Sequence, residues 1–515
     1  MAGETLRAGA SAPASPTDAI QIGVSRPPLK LDDLPTPEEV FQVSKIGAKE
    51  LITLVLGPSM IALGVSIGSG EWLLGPLGFG KFGFMGLGFL ITISAILQTF
   101  YNVENARYTM ATGEVPIVGF SRTPPGLKVW VPLTLFLIFL AWVWGGWAAA
   151  AGQSIFAIFA GRTFAANNPA ELQTVRTIAI VLLFLSLSIY LFGKKISRTL
   201  EVIETIAVFF ILAVLITLAI VFAPASLWGT MLASMVTPAA LPKGIDATTL
   251  GSIIGYTGFA AGMNFMLINY YRDHGYGMGH KVGFFSGVFG GQKQQVLPSG
   301  MTFRESEQNT KTWKRWFRFL VVDQWVVFFT GAMIGMFIPS VMVVALAVTP
   351  GAAEPTSANM PVFAAMELGK QAAWLFPFTL VLGALILWKT QTTLLEMLIR
   401  NTTDAAIAVS PRLRAWIGDD PRKFYYIVAV VLIVFIGWVI HQALPTQLLQ
   451  YSANMANLAS IIYPLVLIYL NSKLPKPARA SWWSYVVLIL NVLFFGFFFV
   501  NFIALQLTGQ PLVKF

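Results

Sequence analysis

The residues of this sequence that could bind or carry an ion lie at two glycine-rich interruptions of otherwise apolar runs. The first reads Gly68-Ser69-Gly70-Glu71; the second runs from Gly255 and Tyr256 to Ala261, Gly262, Met263 and Asn264. A break in a membrane helix leaves N–H and C=O groups that hydrocarbon cannot satisfy, so such breaks persist where they line a protein-walled cavity. Breaks at matching places in two halves of a chain point to the substrate site of an inverted-repeat secondary transporter. Glu71 is an ionisable group inside a span, where it faces a cavity or a partner. It could bind a cation, carry a proton or pair with Lys389. It could also simply cap the second half-helix, where a negative charge is favoured by ~0.3–1 kcal/mol. Met263 offers a thioether, a ligand suited to transition metals, although methionine also serves as core filler; Asn264 adds an amide.

Lys389, within Trp388-Lys389-Thr390-Gln391-Thr392-Thr393, supplies a fixed positive charge. It reads as a counter-ion to an acid, as a replacement for a bound cation, or as a lysine snorkelling to an interface. Asp323 could join a proton relay or pair locally with Arg315 and Arg318; Glu104 and Arg107 form a similar pair. Trp142, Trp144 and Trp147, with Trp72 and Trp388, could cage an organic cation at ~0.5–2 kcal/mol per contact. Against this, three tryptophans so close in sequence cannot all share one helical face. Asn454 and Asn457 lie on one helical face and read as cavity lining or as a helix contact.

The elements that must position these groups follow from composition. Apolar residues make up 56% of the 515 and charged residues 11%, the balance of an integral membrane protein. Segments of about 20 apolar residues span a bilayer, and eleven are found near 50–75, 83–106, 129–160, 175–193, 201–223, 248–271, 319–345, 371–399, 424–443, 446–470 and 483–507. With the N-terminus cytosolic, only Lys81, Arg162, Arg176, Lys243, Lys370 and Lys514 fall outside, and nearly all the other basic residues fall inside. The net charge of +10 is then a topology signal, and no nucleic-acid partner is needed to explain it. The C-terminus is expected to be extracytoplasmic.

Residues 1–44 read as a cytosolic tail without a secretory signal, ending in a capping box at Thr36-Pro37-Glu38-Glu39. Residues 45–223 and 248–470 read as two five-helix repeats joined by an outer loop, 224–247. The second repeat includes a basic, glycine-rich cytosolic loop, 272–316, that could gate or meet anionic lipid. Residues 471–515 carry the eleventh helix. The absence of cysteine removes disulfides and thiolate sites, and three histidines make a histidine-built zinc site improbable.

The stretch from Gly57-Pro58 to Gly68-Ser69-Gly70-Glu71 resembles the first helix of the Nramp (natural-resistance-associated macrophage protein) family of divalent metal transporters, in which a Gly-Pro precedes an Asp-Pro-Gly-Asn break at the same spacing. Arg107 with Thr112-Gly113 resembles the family's Arg-x4-Thr-Gly, and the break ending at Asn264 resembles its Met-Pro-His-Asn. The resemblance implies an all-α, LeuT-type fold of the APC-superfamily kind: a 5+5 inverted repeat with discontinuous helices 1 and 6 and an eleventh helix appended. It implies alternating access and a divalent cation as substrate.

The departures fall on the metal ligands. Gly68 stands at the family's aspartate and Glu71 at its asparagine; anchored on Asn264, Ala261 stands at its methionine and Met263 at its histidine, while a second register would let Met263 serve as the thioether ligand; and the third helix carries tryptophans where the family has acids. An aromatic-lined site for a small organic solute, or a binding protein without transport, are the alternatives. Enzyme motifs are lacking, and no cofactor is expected. The expected partners are a small solute or metal ion and membrane lipid, in a prokaryotic plasma membrane; oligomeric state is left open.

Overall fold

The computed structural model describes residues 34–41, 59, 63, 67–191, 196–258, 262–281, 300–418 and 420–514. Gly57, Pro58 and Ala261 lie outside them. The described residues are helical, without a strand. By length and composition eight helices can cross a membrane, and a ninth span results if Ile206–Phe222 and Ala225–Val236, bent by 119°, are counted together. The difference from eleven has two sources. Most of the first helix lies outside the described residues, and the sixth is split into halves each too short to cross alone.

After the first break a π-helical turn, Gly70–Leu74, leads into α1 (Gly75–Phe82). There follow α2 (Leu87–Thr112), α3 (Leu127–Trp142), α4 (Gly146–Ala160), α5 (Pro169–Leu191) and α6 (Ile196–Phe222). The sixth span is α7 (Ala247–Gly255) and α8 (Asn264–Asp273), then α9 (Glu307–Val322), a π turn at Asp323–Phe329, and α10 (Thr330–Ala347). The chain closes with α11 (Leu375–Val409), α12 (Arg422–Val439), α13 (Pro445–Ser472) and α14 (Trp482–Thr508). Two packing groups emerge. The broken first and sixth helices pack with α2 and α10, while α4, α5, α11 and α12 pack among themselves.

Two details go beyond the sequence reading. The third span, Leu127–Ala160, is long and apolar enough to cross as expected, but its helix stops at Trp142 and restarts at Gly146, with Gly145 at φ 64°. A side chain at Gly145 would meet both the left-handed backbone region and Ile436 and Ile440, each 2.7 Å from an added Cβ. The 272–316 segment is not loop throughout, because α9 begins at Glu307; the Ser306 hydroxyl caps it by accepting the Asn309 N–H at 3.1 Å. The Thr36 box forms: the Glu39 N–H donates to Thr36 Oγ1 at 3.2 Å, and the Thr36 N–H donates back to the Glu39 carboxylate. Its short helix packs on α9 through the Trp316 indole N–H, which donates to the Pro35 carbonyl, and the Arg315–Glu38 ion pair.

Candidate functional site

The two breaks touch. A Cβ added to Gly70 would stand 2.6 Å from the Tyr256 carbonyl oxygen and 3.1 Å from its Cβ, so only glycine admits this approach. On the first helix, the Ile67 N–H donates to the Leu63 carbonyl at 2.8 Å and the Trp72 N–H to Gly68 O at 2.9 Å. The Glu71 carboxylate turns back on the break and accepts the Gly68 N–H at 3.1 Å through Oε2. Its Oε1 is buried and accepts no hydrogen bond from the described residues, and neither Ser69 Oγ nor Trp72 Nε1 has a partner there. Gly335 on α10 makes room for this turn: a Cβ there would lie 3.1 Å from Ile67 and 3.3 Å from Glu71.

Lys389, near the middle of α11 and buried, donates from Nζ to the Ile67 carbonyl at 3.1 Å. That carbonyl lies at the C-terminal end of the first half-helix, where backbone dipoles favour a cation. Its charge also acts on the Glu71 carboxylate, so the two residues left open by sequence reasoning share one neighbourhood. The snorkelling reading of Lys389 is thereby set aside.

The sixth-helix break is held by its neighbours rather than by itself. Asp246 caps α7 by accepting the Thr249 N–H at 2.8 Å. The end of α7 is satisfied by the Ser94 hydroxyl on α2, which donates to Ile254 O at 2.9 Å. Asn454 and Asn457 on α13 donate to the carbonyls of Thr248 and Gly251 at 2.9 and 3.0 Å, a helix contact. Past the break, Met263 is buried and the Asn264 side-chain amide donates to Asn102 Oδ1 on α2.

The interruption of the third helix bears directly on this site. It lets Trp142 and Trp147 turn to the same side, where their rings lie 5.9 Å apart and each lies 5.6–5.7 Å from the Tyr256 ring. The three tryptophans do not all share one face, since Trp144 points instead to Tyr451. A guest between two ring faces needs two van der Waals gaps of ~3.5 Å each, so these rings close on one another as a plug. Tyr256 OH donates to Ser452 Oγ, whose hydroxyl donates to the Ala141 carbonyl at the break of the third helix. Trp142 Nε1 would lie 3.0 Å from a Cβ on Gly262 and has no partner among the described residues. Trp388 points away, donating to Leu182 O and Ser186 on α5.

Asp323 does not pair with Arg315 or Arg318 among the described residues. It opens the π turn and accepts from Ser59 Oγ at 2.5 Å and from Tyr271 OH, while Gln324 Nε2 donates to Ser59 at 2.8 Å and to Tyr271 at 2.9 Å. This ties the first helix, α8 and the seventh span together beyond the break. Glu104 and Arg107 pair at 2.9 Å as expected. Gln391, not singled out in the sequence, accepts the Ala148 N–H at 3.3 Å and so connects α11 to α4. Among the described residues no three His, Asp or Glu side chains group so as to hold a metal ion.

These broken helices and their two packing groups define a helical membrane protein of the LeuT-type fold. Within that class, the fold is similar to the Nramp-family manganese transporter of Eremococcus coleocola. A point mutant of that transporter superposes with a TM-score of 0.59 at 16% identity, covering 91% of this chain and 90% of the other. Its complex with an aromatic bis-isothiourea compound covers 95% and 92%, with a TM-score of 0.56 at 15% identity. MhsT in complex with L-phenylalanine covers 86% and 97%, with a TM-score of 0.52 at 13% identity. No protein-family model matches the chain, and no curated protein matches it by sequence.

Proposed function

We propose that the chain is a secondary-active membrane transporter that carries a cation past the facing breaks by alternating access. The observation that carries this reading is the buried Glu71 carboxylate at the contact between the breaks, with one oxygen committed to Gly68 and the other unpartnered among the described residues. A carboxyl oxygen left bare in a buried site is costly unless a ligand completes it. Ser69 flanks it on the first break, Tyr256, Met263 and Asn264 belong to the second, and the hydrogen bond from Lys389 to Ile67 supplies the positive charge that a coupling cation would bring to a half-helix end. Sodium is therefore not required for transport. The basic face, where residues 34–41 meet α9, is the cytosolic one, and residues 45–223 and 248–470 are the two repeats, each with its break in its own first helix.

A divalent metal is the first candidate, from the manganese transporter with the similar fold. A second reading, a small organic cation, is favoured by the absence, among the described residues, of three acidic or histidine side chains grouped so as to hold a metal ion, and by Trp142, Trp147 and Tyr256 beside the break. Uptake of manganese and other divalent ions into proteoliposomes holding a divalent-sensitive dye separates the two. Saturable uptake that Glu71→Gln abolishes, in protein still monodisperse, supports the metal. No uptake across the divalent series by folded protein rejects the metal and moves the search to organic cations.

A further inference from the structure

A second buried charge cluster lies beyond the breaks, toward the basic face, between the end of α8 and the second half of α11. Arg272 and Asp273 come from α8; Glu396, Arg400 and Asp404 come from α11 at successive helical turns. All five are at least nine-tenths buried. Arg400 donates to Asp273 and to Glu396 at 2.6 Å each, and Arg272 to Asp404 at 3.2 Å and to Asp273 at 3.3 Å. The cluster holds three carboxyl groups and two guanidiniums, and a guanidinium in a protein does not give up its proton. With every acid ionised the cluster would carry an uncompensated negative charge out of water, which burial opposes strongly. Carboxylates crowded into one buried site relieve that charge by holding a proton between them.

The hydrogen bonds indicate which acid holds it. Asp273 accepts from both guanidiniums and Asp404 accepts from Arg272. Glu396 accepts only at Oε1, from Arg400, and its Oε2 is buried without a partner among the described residues. The titratable groups acting on the cluster from the elements around it are Tyr190 on α5, Tyr425 on α12, and His274 just past α8, with Tyr426 acting on Tyr425. The phenols, as neutral groups, add no positive charge. The His274 ring presents Nδ1 to the Tyr270 carbonyl at 2.8 Å, so it is the competing holder of the proton.

We propose that this cluster is the proton-binding site of the transport cycle, with the proton on Glu396 while α8 and α11 are packed together. Separating α8 from α11 on the basic face admits water, and hydration removes the penalty on the free charge. The Glu396 O–H bond then breaks, the proton passes to water, and the carboxylate remains. The coupling half of this proposal rests on the transporter reading above; the proton-binding half does not.

Infrared spectra of the full chain in lipid vesicles at neutral pH test the site without any solute. The carbonyl stretch of a protonated, buried carboxylic acid is expected, lost in Glu396→Gln and retained in Glu71→Gln and His274→Gln. Should Glu396→Gln fail to fold, Asp404→Asn serves instead. It leaves two carboxylates against two guanidiniums, so the band should vanish although Glu396 is still present. A spectrum unchanged by either substitution, or a band lost in His274→Gln, overturns the assignment. Coupling is read separately, from manganese uptake with and without an imposed pH gradient. One coupled proton supports about a tenfold accumulation ratio per pH unit, lost in Asp404→Asn. Uptake by the parent protein that ignores the gradient overturns coupling, whereas no manganese uptake at all rejects the metal reading and leaves the infrared result to decide the site.

Discussion

Replacing Lys389 by alanine tests whether its ammonium does the work of a bound ion. Nζ donates to Ile67 O at 3.1 Å and its charge acts on Glu71. A hydrogen bond from a charged donor contributes about 1.5–3 kcal/mol, and removing one member of a buried charge pair costs about 3–5 kcal/mol. Glu71 and Lys389 are neighbours rather than a direct pair, so a loss of about 2–4 kcal/mol is expected. It should appear as a lower midpoint of thermal inactivation in sodium-free buffer. The substitution also removes a cation-sized group from a carbonyl at a half-helix end. Sodium should therefore stabilise Lys389→Ala and leave the parent unmoved, by ~2.7 kcal/mol at a hundred times its dissociation constant. Scanning fluorimetry against sodium, potassium and choline reads both effects. A variant as stable as the parent without sodium, or one that sodium does not rescue, refutes the argument that Lys389 stands in for an ion.

Gly70→Ala places a Cβ 2.6 Å from the Tyr256 carbonyl and should cost about 1–3 kcal/mol through overpacking, with transport lost before the fold; an unchanged melting curve together with full uptake would show that the breaks do not touch. Tyr271→Phe removes one donor from Asp323 and the acceptor of Gln324 Nε2, a loss of about 1.5–3 kcal/mol. Because these bonds tie the first helix to α8 and the π turn, the variant should open more readily on the basic face. A single cysteine at Ser59, in a chain that has no other, should then label faster in Tyr271→Phe than in the same reporter protein without it.

The sequence made the two breaks legible because glycine and polar residues inside apolar runs have few other uses, and Glu71, Lys389 and the Glu104–Arg107 pair were all visible as charges out of place. The interruption of the third helix is hidden in the hydropathy, because apolar content alone sustains a span through a short break; its one signal is Trp144-Gly145-Gly146. The α8–α11 charge cluster had a signal of its own in Glu396, Arg400 and Asp404, four residues apart within one helix. What sequence spacing could not supply was the arrival of Arg272 and Asp273 from another helix. The same limit applies to Asp323, whose near neighbours in sequence are arginines but whose partners, Ser59 and Tyr271, come from elsewhere in the chain.

The interruption of the third helix beside those of the first and sixth has a mechanical consequence. A continuous helix is stiff against bending, because bending it means breaking its own hydrogen bonds. Here three helices lose that continuity at one level, where Gly70 meets Tyr256 and Tyr256 meets Trp142 and Trp147. The stiffness of the bundle therefore has a minimum in that layer, and the segments on either side can tilt as short rods about it. Load applied at one face is taken up there as rotation before it reaches the other face, so one end of the protein can yield while the other holds its shape.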